Sequence, residues 1–127
     1  MGYASHWTGE VRIEPALSWA EIRATQSAGL QDVKLRLNEH TENTLTGQTR
    51  IIHAVAVEPA TRDAFNGYYI KAELQALVDY HGSHEFTGEI EARPEDPAGT
   101  PWRYIVRDRR VVRQVPQTVW QDEDGAE

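Results

Sequence analysis

The chain has 127 residues and no cysteine, which excludes disulfides, thiolate metal sites and cysteine nucleophiles, and its length suits one independently folding domain. No apolar run approaches the roughly 20 residues that span a bilayer, and no basic and apolar leader opens the sequence, so the expected setting is cytoplasmic. The net charge is −7, more than half of it from Asp122, Glu123, Asp124 and Glu127, and an acidic balance opposes nonspecific contact with nucleic acid.

The first expected element is a strand. Trp7, Gly9, Val11 and Ile13 alternate with Thr8, Glu10, Arg12 and Glu14, so one face can be buried, and Pro15 is expected to end the run. Ser18 and Glu21 have the spacing of a capping box, which predicts a short helix over about 18–25 with Trp19 and Ile22 inward. Residues 26–32 read as loop. Val33, Leu35 and Leu37 then alternate with Lys34, Arg36 and Asn38 in a half-buried strand to about Thr41, with a turn over 44–47. The strand that follows, about 48–57, groups Ile51, His53, Val55 and Val57 against Ile52, Ala54 and Ala56. Being apolar on both sides, it is the expected central strand.

After a loop over 59–67, Ile70, Leu74, Leu77, Val78 and His81 fall at helical spacing, and Gly82 is expected to stop this main helix in a left-handed conformation. Immediately afterwards the opening pattern recurs. Ser83-His84 precedes Phe86-Thr87-Gly88-Glu89-Ile90, as Ser5-His6 precedes Trp7-Thr8-Gly9-Glu10-Val11. Glycine inside a strand forfeits side-chain packing and marks a bulge or a close approach of another group. A Pro-rich connection over 94–101 leads to a hairpin, 102–107 and 110–115, turning at Asp108-Arg109. Val119 and Trp120 are expected to pack on the body. Residues 1–120 then form one domain and 121–127 a disordered acidic tail.

This order predicts an α+β fold: a mostly antiparallel sheet of five to six strands with two helices on one face, in a split βαβ or ferredoxin-like arrangement with an added C-terminal hairpin. The two repeat strands would lie side by side and antiparallel.

Gly2-Tyr3 with Thr8–Ile13, the Pro15-x-Leu17-x-Trp19-Ala20-Glu21-Ile22 helix start, His84–Gly88 and Val119-Trp120 resemble small proteins of Streptomyces and of phages infecting actinobacteria, grouped as a domain of unknown function. The resemblance runs along nearly the whole chain. It implies an actinobacterial or phage accessory gene and carries over no catalytic residue.

No phosphate-binding loop, dinucleotide fingerprint, nucleophile elbow or metalloprotease signature is present. His81 and His84 are separated by Gly82 and do not share a helical face, so no metal site or cofactor is expected; His81 suits a helix C-terminus and His84 opens a strand. His53, among Ile and Val, reads as a hydrogen-bonded core histidine. Glu85, Glu89 and Glu91 project from one strand face toward Arg12, Arg103 and Arg107, a solvated cross-strand lattice or an acidic docking face. Arg103, Arg107, Arg109, Arg110 and Arg113 make the hairpin the one dense basic segment, with Arg109 and Arg110 reaching solvent at the turn.

Three functions remain open. The leading expectation is a non-enzymatic interaction module, monomer or homodimer, that binds a protein through the acidic face or the arginine hairpin. The second is a small enzyme or ligand-binding domain with a pocket between the long helix and the sheet, having His53, Tyr68 or Tyr69 at its mouth. The third is nucleic-acid binding through the arginines and Trp102.

Overall fold

The computed structural model, which describes residues 4–122, brings the two Thr-Gly-Glu copies together as antiparallel neighbours. The first belongs to β1 (Ser5–Leu17) and the second to β4 (Glu85–Pro94). Glu10 faces Glu89 directly, Gly9 faces Ile90 and Val11 faces Gly88. The repeat therefore acts as a local pseudo-twofold, each copy placing its glycine beside the other's glutamate.

Around this pair are α1 (Trp19–Ser27), β2 (Val33–Thr44), β3 (Gly47–Pro59), α2 (Ile70–Tyr80), β5 (Trp102–Arg107) and β6 (Arg110–Gln114). The six strands form one open sheet in the order β2-β3-β1-β4-β5-β6, every adjacent pair antiparallel. The fold is α+β. Trp7, Val11 and Ile13 of β1 and Phe86, Ile90 and Ala92 of β4 meet Ile22 of α1 and Ile70, Leu74, Leu77 and Val78 of α2 in a single buried cluster. The charged residues of β1 and β4 lie on the opposite face. No helix among the described residues is long and apolar enough to cross a membrane.

Local rules explain most of these elements. Ser18 Oγ accepts from the Glu21 amide and Glu21 Oε1 from the Ser18 amide, which closes the expected capping box. Asp108 and Arg109, at φ 50° and 63°, form the two-residue turn whose twist suits a hairpin. Glu73, in the first turn of α2, accepts from the amides of Gln31, Asp32 and Val33 at 2.9–3.1 Å, and Asp32 Oδ2 accepts from the Tyr69 amide at 2.7 Å. These reciprocal bonds tie the start of β2 to the start of α2.

Six expectations are corrected. Pro15 does not end the first strand: β1 continues to Leu17, which is fully buried. Trp19 is 47% exposed because the first turn of α1 lies at the sheet margin, leaving Ile22 and Thr25 as its inward residues. In β3 the pairing skips Val55, Ala54 facing Leu37 and Ala56 facing Arg36, so a bulge breaks strict alternation. Ala54 and Val57 therefore share the core face, while His53 is half-buried on the other side and stacks on His40 at 5.3 Å. β3 is interior, but the centre of the sheet belongs to β1 and β4. Gly82 is not left-handed; α2 ends at Tyr80, and His81 caps it at φ −104° and ψ 65°. Val119 and Trp120 are 70% and 94% exposed. The acidic tail expected at 121–127 lies, from residue 123 on, outside the described residues.

Candidate functional site

The carboxylates singled out in the sequence lie on the face of the sheet opposite the helices, and two of the three are engaged. Glu89 Oε2 accepts from Arg103 Nη1 at 2.6 Å, while Arg103 Nε donates to Gln114 Oε1 at 2.7 Å. Glu91 pairs with Arg93 at 2.9 Å, and Glu10 is held by both terminal nitrogens of Arg36 at 2.6 and 3.0 Å. Glu85 sits opposite Glu14 in register and has no ion pair among the described residues. Exposed pairs of this kind contribute about 0–1 kcal/mol each. The acidic face is thus largely a self-neutralised lattice.

The hairpin arginines have separate fates. Arg113 lies over the Trp102 ring, 5.0 Å from its centroid. Arg109 is exposed as expected at the turn, but its guanidinium folds back and donates to the backbone carbonyls of Val78, His81 and His84, the last at 2.8 Å. A guanidinium there completes the C-terminal turn of α2, whose carbonyls have no helical donors. Arg107 and Arg110 remain. They face each other directly across the hairpin, both exposed, with no ion pair among the described residues. Beyond the other end of the hairpin an open groove of about 720 Å³ runs between Trp102, Arg103 and Arg113 and the segment Val115–Gln117. The Trp102 indole Nε1 is buried and finds no hydrogen-bond partner among the described residues.

The expected pocket residues do not converge. Tyr68 and Tyr69 are 70% and 52% exposed before α2, whereas His53 lines a groove of about 270 Å³ with Ser18, Trp19 and Arg50 on the margin of β3.

A polar cluster that the sequence did not reveal joins α1, α2 and β4. His84 Nδ1 donates to the Pro15 carbonyl at 2.6 Å, and its Nε2 lies 2.7 Å from Glu21 Oε2, within hydrogen-bonding distance of the carboxylate. His81 Nε2 lies 2.8 Å from Thr25 Oγ1, and His81 Nδ1 is 3.7 Å from the same Glu21 oxygen. Both histidines are buried, at 3% and 6% exposure. Burial pushes the His81 pKa down; the Ser18 amide, followed by His84, holds Glu21 below the usual carboxylate range against its partial burial. No group of three or more His, Cys, Asp or Glu among the described residues has metal-binding geometry. With both rings packed and their nitrogens engaged, the cluster acts as a clamp. Each residue alone had a legible local role, but their convergence across 63 positions of sequence had no local signal.

A family model described as Family of unknown function (DUF6205) matches residues 1–127, and the chain belongs to that family. No curated protein and no solved structure matches it.

Proposed function

We propose that this member of the family is a non-enzymatic protein-interaction module that captures an acidic protein surface on the open hairpin of β5 and β6, as an accessory protein of an actinobacterium or of a phage infecting one. The carrying observation is the facing pair Arg107 and Arg110. Like charges directly opposite on a sheet are destabilising, and here no described carboxylate relieves them, whereas Glu10, Glu89 and Glu91 on the same face are each paired with an arginine. An arrangement that lowers fold stability at an exposed site fits a cost retained for binding. The groove at the other end of the same hairpin, lined by Arg103 and Arg113, adds two further guanidiniums to this surface. The setting follows the resemblance to actinobacterial and phage proteins.

A single change, Arg107→Glu, tests this reading. It replaces a like-charged pair with an opposite one, so fold stability is expected to stay level or rise by about 0.2–1 kcal/mol. Capture of a protein from nuclease-treated actinobacterial lysate is expected to weaken, and wild-type capture to fall as salt rises. Undiminished capture by the folded variant would remove the hairpin as the contact surface. Capture abolished by nuclease would replace the protein partner with nucleic acid.

A further inference from the structure

We propose that the free edge of β2 is a self-association surface, on which β2 of a second copy of this chain adds antiparallel about Asn38. β2 is the outermost strand on its side of the sheet, and Arg36–Thr44 are all exposed. β1 pairs with β3 only from Val57 to Ala54, so the exposed Gly47–Arg50 and the facing part of β2 project beyond the body as a two-stranded ribbon. A two-stranded ribbon is marginal in water without a further neighbour.

The backbone of this edge is available for pairing. Thr44 faces Gly47 across the two-residue turn, so even-numbered residues of β2 bond inward to β3 and odd-numbered ones direct N–H and C=O outward. The amide of Val33 agrees with that count, since it bonds not to β3 but to Glu73. Leu35, Leu37, Glu39 and Thr41 therefore offer a row unpaired among the described residues and uninterrupted by proline.

Charge order selects the occupant. Charges on an edge strand ordinarily guard it against pairing. In β2, however, the cations Lys34 and Arg36 occupy the first half and the anions Glu39 and Glu42 the second, so an antiparallel copy meets its opposite. Pairing centred on Asn38 sets Lys34 against the second copy's Glu42, Leu35 against Thr41, Arg36 against His40 and Leu37 against Glu39. Odd residues then exchange backbone bonds, while Lys34 and Glu42 fall at a non-hydrogen-bonded position, where side chains approach more closely. Centring on Glu39 would instead oppose two Glu39 carboxylates. Lys34 and Glu42 are also the least committed charges of the strand: Lys34 is 3.7 Å from Glu58 and Glu42 bonds only to His40, whereas Arg36 and Glu39 are each held bidentately by Glu10 and Arg50. The twofold is self-complementary, as an isologous dimer requires. Each ribbon tip would run past the other copy's Val33–Leu35, beside a groove of about 270 Å³ that includes Gln26 and Leu30.

Sedimentation equilibrium of the whole chain, repeated with two charge-reversal variants, tests the pairing independently of the hairpin. The wild-type apparent mass is expected to rise with concentration from 14.4 kDa toward twice that value, less steeply in high salt. K34E and E42K should each stay monomeric, because each turns both symmetry-related contacts into like-charge pairs. An equimolar mixture of the two restores both contacts and should dimerise again. Thr41→Pro, which removes an outward N–H and spares the ladder to β3, should abolish the dimer. A wild type that stays monomeric up to millimolar concentration overturns the proposal, as does self-association by K34E or E42K alone or a mixture that fails to recover it.

Discussion

Replacing Gly9 or Gly88 with Val is expected to cost about 4 kcal/mol, and each variant should melt roughly 10–20 °C below the wild type. Two effects add. At φ 99° and 133° both glycines occupy backbone conformations that a β-branched residue avoids. A Cβ would also run into backbone: at Gly9 into the Glu89 carbonyl oxygen and at Gly88 into that of Glu10. A ladder carbonyl cannot swing aside as a flexible side chain can, so the strands must separate at the middle of the sheet. Gly82→Ala is the control, since that position has an ordinary φ and nothing within 4 Å, and it should stay within about 0.5 kcal/mol. Thermal melts of the three variants decide the matter. If the two valine variants melt with the control, β1 and β4 are not held at glycine distance.

That reciprocity explains why the repeat was legible. Pairing a strand with its own copy in antiparallel sense brings each Gly-Glu step against the other, and period-two alternation already assigned Trp7, Val11, Ile13, Phe86 and Ile90 to one face. The capping box at Ser18 and Glu21 and the turn at Asp108-Arg109 were equally readable, because their signals span only a few residues. Misreadings arose where a distant partner overrode the local pattern. His53 left the core because a bulge at Val55 shifted the face of β3, and no residue there is the glycine that would have announced it. Arg109 looked like the freest cation of the hairpin, yet the uncapped end of α2 lies within its reach. Those carbonyls belong to residues 25–31 positions earlier, so neither spacing nor composition could assign the contact. What survives on the hairpin is the pair Arg107 and Arg110, facing because the turn is two residues long.

The clamp around Glu21 is expected to make the fold acid-labile, beginning near pH 6.5. His81 is held neutral by burial, with its pKa below the usual value, so the unfolded chain takes up a proton at position 81 that the folded chain refuses. Stability gained above about pH 6.5 is lost as the pH falls from there toward the folded pKa, at up to about 1.4 kcal/mol per unit for one proton. Glu21 has the same sign at lower pH. Its folded pKa is depressed from 4.5, so its contribution is complete above that value and disappears as the pH drops through the folded one. His81→Gln can still bond Thr25 but does not titrate. It should therefore be less stable at neutral pH through poorer packing, and its stability should change less than that of the wild type between pH 6.5 and 5. The exposed or half-buried His6, His40 and His53 are common to both proteins and cancel in the comparison. Glu21→Ala leaves the Ser18 cap but removes the carboxylate half of the capping box and the partner of His84 together, at a cost of about 1–3 kcal/mol at neutral pH. Urea titrations of the three proteins at pH 7.5, 6.5, 5.5, 4.5 and 3.5 measure all of these quantities. Wild type and His81→Gln with parallel pH profiles would show that His81 is not the proton-linked group, and the clamp would then owe its strength to packing alone.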